Sequence, residues 1–452
     1  MGKLVRIAAL LGGIILLCRG WAVLGLRYQL EYGEGHMLGL AYFLKQGRSI
    51  YHPGADPPWI YGLHLPLYLW LMGLGWDGHP SFLPGRLISF SAVLVALLAS
   101  LGWLWRRHGG LCASAALGFM LLHPLLPGWS PLARVDNLGF ALSVLAVLLA
   151  RPWISIWLCG LAFFCKQSFV AAPLALAWWF GRPTGLKFIA TLTVTVSLSM
   201  LFFHLPLGGG LVSSWGDAWS LWSSYFFSVL PLIGLALFAP SELEDTRRLR
   251  AYALTALLPA AACLKQGSYY NYFLELHWAL SMLAALALKR PLRKTWMLTL
   301  FQLCWGAASR FPILHSPLEL FHYETLPVLS GRTPWWRQQF QDYDQLGPLL
   351  EQHAGPVLSE QCGNPLLFGR EPLVCDCYAL FMDQARSGHW DPGPLLQMLR
   401  ERKVALILLQ RLGQENIRIP DYVMSEIQAN YDVVGRLGKK GDFILVPKAD
   451  AQ

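Results

Sequence analysis

Apolar runs long enough to approach the roughly twenty residues that cross about 30 Å of hydrocarbon recur along the chain. They lie near residues 6–26, 86–105, 110–129, 136–150, 153–166, 168–181, 188–206, 224–240, 251–265, 271–288 and 295–312. About eleven membrane spans are therefore predicted, several short enough to require tilts or kinks. The first opens with Lys3 and Arg6 and continues Ile7–Leu17 before Cys18, Arg19 and Gly20; no small-x-small cleavage site closes it, so it reads as a retained helix.

Two stretches break the pattern. Residues 28–85 form a long connection, with a short helix from Glu34 to Lys45, an extended turn at Pro53–Pro58, and an apolar stretch at Leu63–Leu74 that is too short to span and suits the membrane interface. Beyond residue 312 the pattern is that of a small α/β unit. Strands are predicted near Pro356–Ser359, Ala405–Leu409 and Asp442–Val446, helices near Cys377–Arg386, Pro394–Arg402 and Asp421–Ala429, and turns at Asp391–Gly393 and Gly438–Gly441.

Composition agrees with this division. Hydrophobic residues make up 55% of the 452 and charged residues only 14%, below the roughly 25% charge of a soluble chain. Residues 1–324 carry 23 Lys/Arg and 12 Asp/Glu, and residues 325–452 carry 13 and 15, so the net +9 is +11 on the first part and −2 on the second. The basic excess thus belongs to loops beside a bilayer and is not read as a nucleic-acid footprint. With the N-terminus inside, fourteen loop Lys/Arg face the cytoplasm and eight face outward, which the positive-inside rule favours. An odd number of spans then places residues 313–452 outside, in the periplasm of a bacterial inner membrane.

In this topology the costly ionisable residues gather on one side. The outer face holds Glu31 and Glu34, Arg134 and Asp136, Lys166 and Gln167, and the segment from Lys265 to Glu275. Each alone could be an interfacial residue reaching water; four groups at successive outer turns point to a site. Transfer of a sugar from a lipid phosphate needs a carboxylate to take the acceptor proton and cations to stabilise the departing phosphate. Glu31, Glu34 and Asp136 meet the first need; Lys166, Arg134 and Lys265 meet the second. Gln167, Ser168, Tyr270, Asn271, Glu275 and His64 are candidates for holding substrate.

Over residues 1–312 the chain resembles the GT-C superfamily of polyprenyl-phosphate-sugar-dependent glycosyltransferases, especially bacterial relatives of protein O-mannosyltransferases and of lipid A aminoarabinose transferases. The resemblance rests on Glu34-Gly35 leading to Gly47-Arg48-Ser49-Ile50-Tyr51, on Pro66-Leu67-Tyr68, on Arg86 opening the second span, on Arg134-Val135-Asp136, on Lys166-Gln167-Ser168, and on Asn271 to Glu275. It implies an α-helical polytopic membrane protein with an extracytoplasmic α/β domain, divided as 1–312 and 313–452. It also implies inverting transfer of a glycosyl group to a lipid, glycan or protein acceptor, with a first-loop carboxylate (Glu34 by motif) as base and Lys166 on the donor phosphate. Many relatives carry Asp-Glu in that loop; here Gly33 precedes Glu34 and the extra acid is Glu31, one turn upstream.

Other features have plainer readings. His36, His64 and His204 lack H-x-x-x-H spacing or a His/Asp pairing, so neither a divalent metal nor any other cofactor is expected. Trp215, Trp219 and Trp222 read as an aromatic belt. Of nine cysteines, Cys362, Cys375 and Cys377 lie in the tail, where one disulfide from Cys362 to either of the others and three free thiols are equal alternatives. A transporter or flippase for an amphipathic substrate is the competing function, though no inverted repeat supports it; a non-catalytic scaffold is a third.

Overall fold

The computed structural model describes residues 2–202, 215–264, 268–290, 292–311, 314–413, 416, 418–438 and 441–449. Lys265, His204 and the glycine run 208–210 lie outside the described residues. The chain is mostly helical and divides into two compact units, one formed by Gly2–Leu24 and by helices of residues 87–333, the other by Gly25–Arg86 together with the tail from Pro334.

The helices that matter for the site are, in chain order, α1 (Gly2–Leu24), α2 (Tyr32–Lys45), α3 (Pro66–Leu74), α4 (Leu83–His108), α5 (Gly110–Leu121), α6 (Leu125–Trp129), α7 (Val135–Leu149), α8 (Pro152–Cys165), α9 (Ala171–Phe180), α10 (Thr184–Phe202), α11 (Trp215–Leu237), α12 (Glu244–Thr255), α13 (Leu257–Ala261), α14 (Leu274–Ala287) and α15 (Arg293–Ala308). Each predicted span meets a helix. Four of these, α1, α4, α10 and α11, are long and apolar enough to cross a membrane; α5, α7, α8 and α9 are shorter apolar helices. In the first unit Leu10, Trp21, Leu98 and Leu198 are exposed, as expected of side chains that meet lipid.

Two spans differ from the sequence pattern. The run 110–129 is broken between α5 and α6, where Pro124 precedes the second piece and lacks the N–H that would continue the ladder. The run at 251–265 starts earlier, at Glu244, and includes Arg247, Arg248 and Arg250. Asp245 of the same helix takes Arg248 at 3.0 Å, together with Arg107 at 2.9 Å and His108 at 2.9 Å from the end of α4. Trp215, Trp219 and Trp222 lie on α11 rather than in a loop; the first two are exposed, as a belt requires, while Trp222 donates from Nε1 to the Ala260 carbonyl at 2.9 Å.

Within the second unit the tail forms a four-stranded sheet of β1 (Val357–Ser359), β2 (Leu406–Leu409), β3 (Tyr431–Arg436) and β4 (Phe443–Pro447), in the order β1-β2-β4-β3. The first pair is parallel and the others antiparallel. Strand β2, Leu-Ile-Leu-Leu, is buried throughout, and its Ile407 and Leu409 share a core with Leu395, Leu399, Val423, Ile427 and Leu445. Strand β3 was missing from the sequence reading because it is a largely exposed edge carrying Asp432 and Gly435, residues of poor strand propensity. Residues 28–85 pack with this tail: Trp59 donates its amide to the Leu373 carbonyl at 2.8 Å, Cys375 N donates back to Trp59 at 3.1 Å, and the indole is fully buried against Trp390.

Candidate functional site

In the first unit, α7 and α8 form a hairpin of nearly equal arms, 15 and 14 residues, turning at Ala150 in the left-handed region and restarting at Pro152. Equal arms bring the start of α7 to the end of α8. Helix α8 stops at Lys166, whose extended backbone sends its side chain to Asp136 in the first turn of α7; Nζ donates to Oδ1 at 2.8 Å. The entry to α7 is fixed by Asn137, whose Nδ2 donates to the carbonyls of Trp129, Ser130 and Leu132, and by Ser89, which bonds Arg134 through both its backbone N and O.

Asn271 joins from the turn Tyr270–Phe273 ahead of α14, donating Nδ2 to Asp136 Oδ1 at 2.7 Å. Arg134 lies 3.8 Å from Asp136 Oδ2 and over the Trp129 ring, while Lys166 Nζ lies 4.1 Å above the Tyr272 ring. Asp136 thus gathers an ammonium, an amide and a guanidinium, and it uses only one of the three donors on the Lys166 ammonium. Gln167 and Ser168 form the turn between α8 and α9 and are partly exposed. Tyr270 stacks on Phe311 at 4.1 Å. Glu275 accepts instead from Tyr252 of α12 at 2.8 Å.

In the second unit, Glu31 caps α2, accepting from Gly33 N at 2.9 Å. Glu34 is fully buried. Its two oxygens take Arg86 Nε and Nη2, each at 2.8 Å, and the Leu30 amide at 2.9 Å, while the fully buried Arg86 also donates to the carbonyls of Leu26 and Tyr28. From sequence, Arg86 is legible only as a cation opening the second span.

Two residues along α2, the His36 ring presents Nδ1 to Asp376 and meets His64 edge-on, with ring centroids 5.9 Å apart. This His/Asp pairing links residues far apart in sequence, so spacing could not reveal it. Asp376 also accepts from the Tyr32 hydroxyl at 2.7 Å and the Ala379 amide at 2.9 Å. Burial alone would raise its pKa, but the His36 contact and these donors hold it down at about 2. The Tyr32 phenol moves the other way, raised first by burial and then by the Asp376 charge. Among the described residues no group of three or more His, Cys, Asp or Glu is arranged to hold a metal ion.

No protein-family model matches the sequence, and no curated protein is similar to it in sequence. Solved structures are similar in fold. ArnT from Cupriavidus metallidurans bound to undecaprenyl phosphate aligns with a TM-score of 0.63 at 13% identity, over 98% of this chain and 98% of that one; the apo form gives 0.62 at 14%, over 96% and 97%. An oligosaccharyltransferase from Archaeoglobus fulgidus, tethered to an acceptor peptide, aligns at 0.53 and 12% identity over 99% of this chain and 74% of its own. The chain therefore shares the fold of these proteins.

Proposed function

We propose that this protein is a membrane glycosyltransferase that moves a sugar from a polyprenyl-phosphate donor to a lipid, glycan or protein acceptor at the periplasmic face, with inversion in a single displacement. The observation that carries the reading is the Asp136–Lys166–Asn271–Arg134 cluster, a buried site that gathers two cations, on the fold of ArnT, which binds undecaprenyl phosphate. Lys166 and Arg134 would stabilise the leaving phosphate as charge builds on it, and Asp136 and Asn271 would hold the ammonium in place. Lys265 is assigned to the same phosphate by sequence alone; Gln167, Ser168 and Tyr270 are assigned to substrate.

The acceptor proton goes to an acid of α2, with Glu34 the choice by motif and Glu31 the partly exposed alternative. The positive charge comes from side chains in this scheme, so transfer should persist in a chelator. The orientation follows the loop charges: N-terminus cytoplasmic, about eleven crossings, and residues 313–452 periplasmic in a bacterial inner membrane. The test is mass spectrometry of envelope glycans and lipids with and without the protein, joined to binding of undecaprenyl phosphate by the purified chain. A missing glycosyl group and saturable binding support the reading. Unchanged glycans together with transmembrane flux of a lipid-linked substrate would replace it with a transporter.

A further inference from the structure

We propose that Cys362 and Cys375 form a disulfide in the native protein, and that this bond pins the Asp376 arm against α2. The inference rests on the outward placement of the tail, because a structural disulfide needs an oxidising compartment. Cys362 precedes the short helix Gly363–Leu366, and Cys375 follows the strand-like contact with Trp59. Both side chains are buried, and both sulfurs border the same position on α2.

Their meeting place is one face of α2. Gly35 and Gly39 lie one turn apart on that helix, and Gly363 packs on the first of them. A Cβ on Gly363 would stand 2.8 Å from the Gly35 Cα, and a Cβ on Gly39 would overlap the Cys375 sulfur while lying 3.6 Å from the Cys362 sulfur. A single position on α2 therefore touches both sulfurs at once. Cys377 is directed elsewhere, its Sγ facing the Ser359 carbonyl at 3.8 Å, so of the two partners open in the sequence the geometry selects Cys375.

Formation needs a disulfide-bearing oxidant, a thiol–disulfide exchange partner of the kind that oxidises extracytoplasmic proteins. The Cys362 and Cys375 thiols lose two protons and two electrons in forming the Sγ–Sγ bond, and the oxidant's disulfide is reduced to two thiols. The bond closes the segment 363–374 and so removes freedom from the unfolded chain. In the folded chain it fixes the residue adjoining Asp376, which faces His36 and Tyr32 of α2.

The test uses the full chain extracted from its own membrane with thiols blocked at once. Peptide mapping should show 362 linked to 375, with seven of the nine cysteines alkylated. The Cys377→Ser variant should keep the link, and Cys375→Ser should lose it. Reduction should lower the melting temperature and speed amide exchange across residues 33–40 in the wild type, and should change neither in a Cys362→Ser, Cys375→Ser double variant. A link from Cys362 to Cys377 overturns the pairing. If all nine thiols are free on extraction, the purified chain is treated with oxidised glutathione: no link even then refutes the geometry, whereas a link formed only then refutes the native bond, and labelling of a Gly355→Cys variant from outside separately tests the outward placement of the tail.

Discussion

Glu34 in the second unit and Asp136 in the first are both carboxylates near a helix start, both buried, and both paired with a cation at 2.8 Å. Their surroundings differ. Glu34 meets one guanidinium in a bidentate fork, and Arg86 also donates to two backbone carbonyls. Asp136 meets an ammonium and a side-chain amide, with a guanidinium 3.8 Å away. The fork ties a carboxylate to the backbone around it; an ammonium that spends one of its three donors on Asp136 keeps hydrogen-bonding capacity for an anion.

The largest effect is expected where the fork is broken. Arg86→Met should lower stability by about 3–5 kcal/mol, because an unpaired Glu34 carboxylate would be left buried. Adding Glu34→Leu should recover most of that loss, since an apolar pair of similar volume avoids the desolvation penalty. Thermal unfolding in detergent measures both. A neutral single variant would show that the pair does not hold the fold, and full transfer by the folded double variant would exclude Glu34 as the base.

At the Lys166–Asp136 pair the effect belongs in turnover. Lys166→Met should reduce single-turnover transfer by roughly 10²- to 10³-fold while weakening undecaprenyl phosphate binding less, because the interaction strengthens as charge reaches the leaving oxygen. Equal losses in both measurements would make Lys166 a ground-state contact only.

Asp442 supplies the limiting case, a fully buried carboxylate whose oxygens have no hydrogen-bond partner among the described residues. Burial first, then the Glu360 charge, raises its pKa to about 7. The folded state therefore binds a proton that the unfolded chain releases near pH 4, and stability falls as pH rises from about 4 to about 7. Asp442→Asn should gain roughly 2–4 kcal/mol over the wild type at pH 8 and nothing at pH 4. A gain independent of pH would assign the benefit to packing rather than to the charge.

What the sequence disclosed follows the range of the interactions. Apolar runs and loop charges located the helices, because burial in lipid acts on local composition. The Leu406–Leu409 strand was legible from its continuous apolar run. Lys166 and Asp136 were both found as costly charges, yet they were assigned to separate roles, because nothing local says that two helix arms of equal length bring them together. The His36–Asp376 contact was invisible for the same reason, and Arg86 looked like one more loop cation until its fork on Glu34 was seen.

The smallest expected effect decides what Asp136 does. Asp136→Asn keeps the shape and an oxygen able to accept from Lys166, but removes one negative charge from the cluster. A lipid phosphate bound there would feel one more uncompensated cation, worth about 1 kcal/mol in a partly hydrated site, so undecaprenyl phosphate should bind severalfold tighter. If Asp136 only positions Lys166, turnover at saturating donor should fall less than tenfold, since the amide still holds the ammonium. Were Asp136 the base, the amide could not take the acceptor proton, and turnover would fall by roughly 10²-fold or more with tighter binding intact. Isothermal titration with the donor lipid and single-turnover transfer on the same purified variant separate these outcomes. Lys166 and Asn271 share the Oδ1 oxygen, so a base role would fall to Oδ2, which lies 3.8 Å from Arg134.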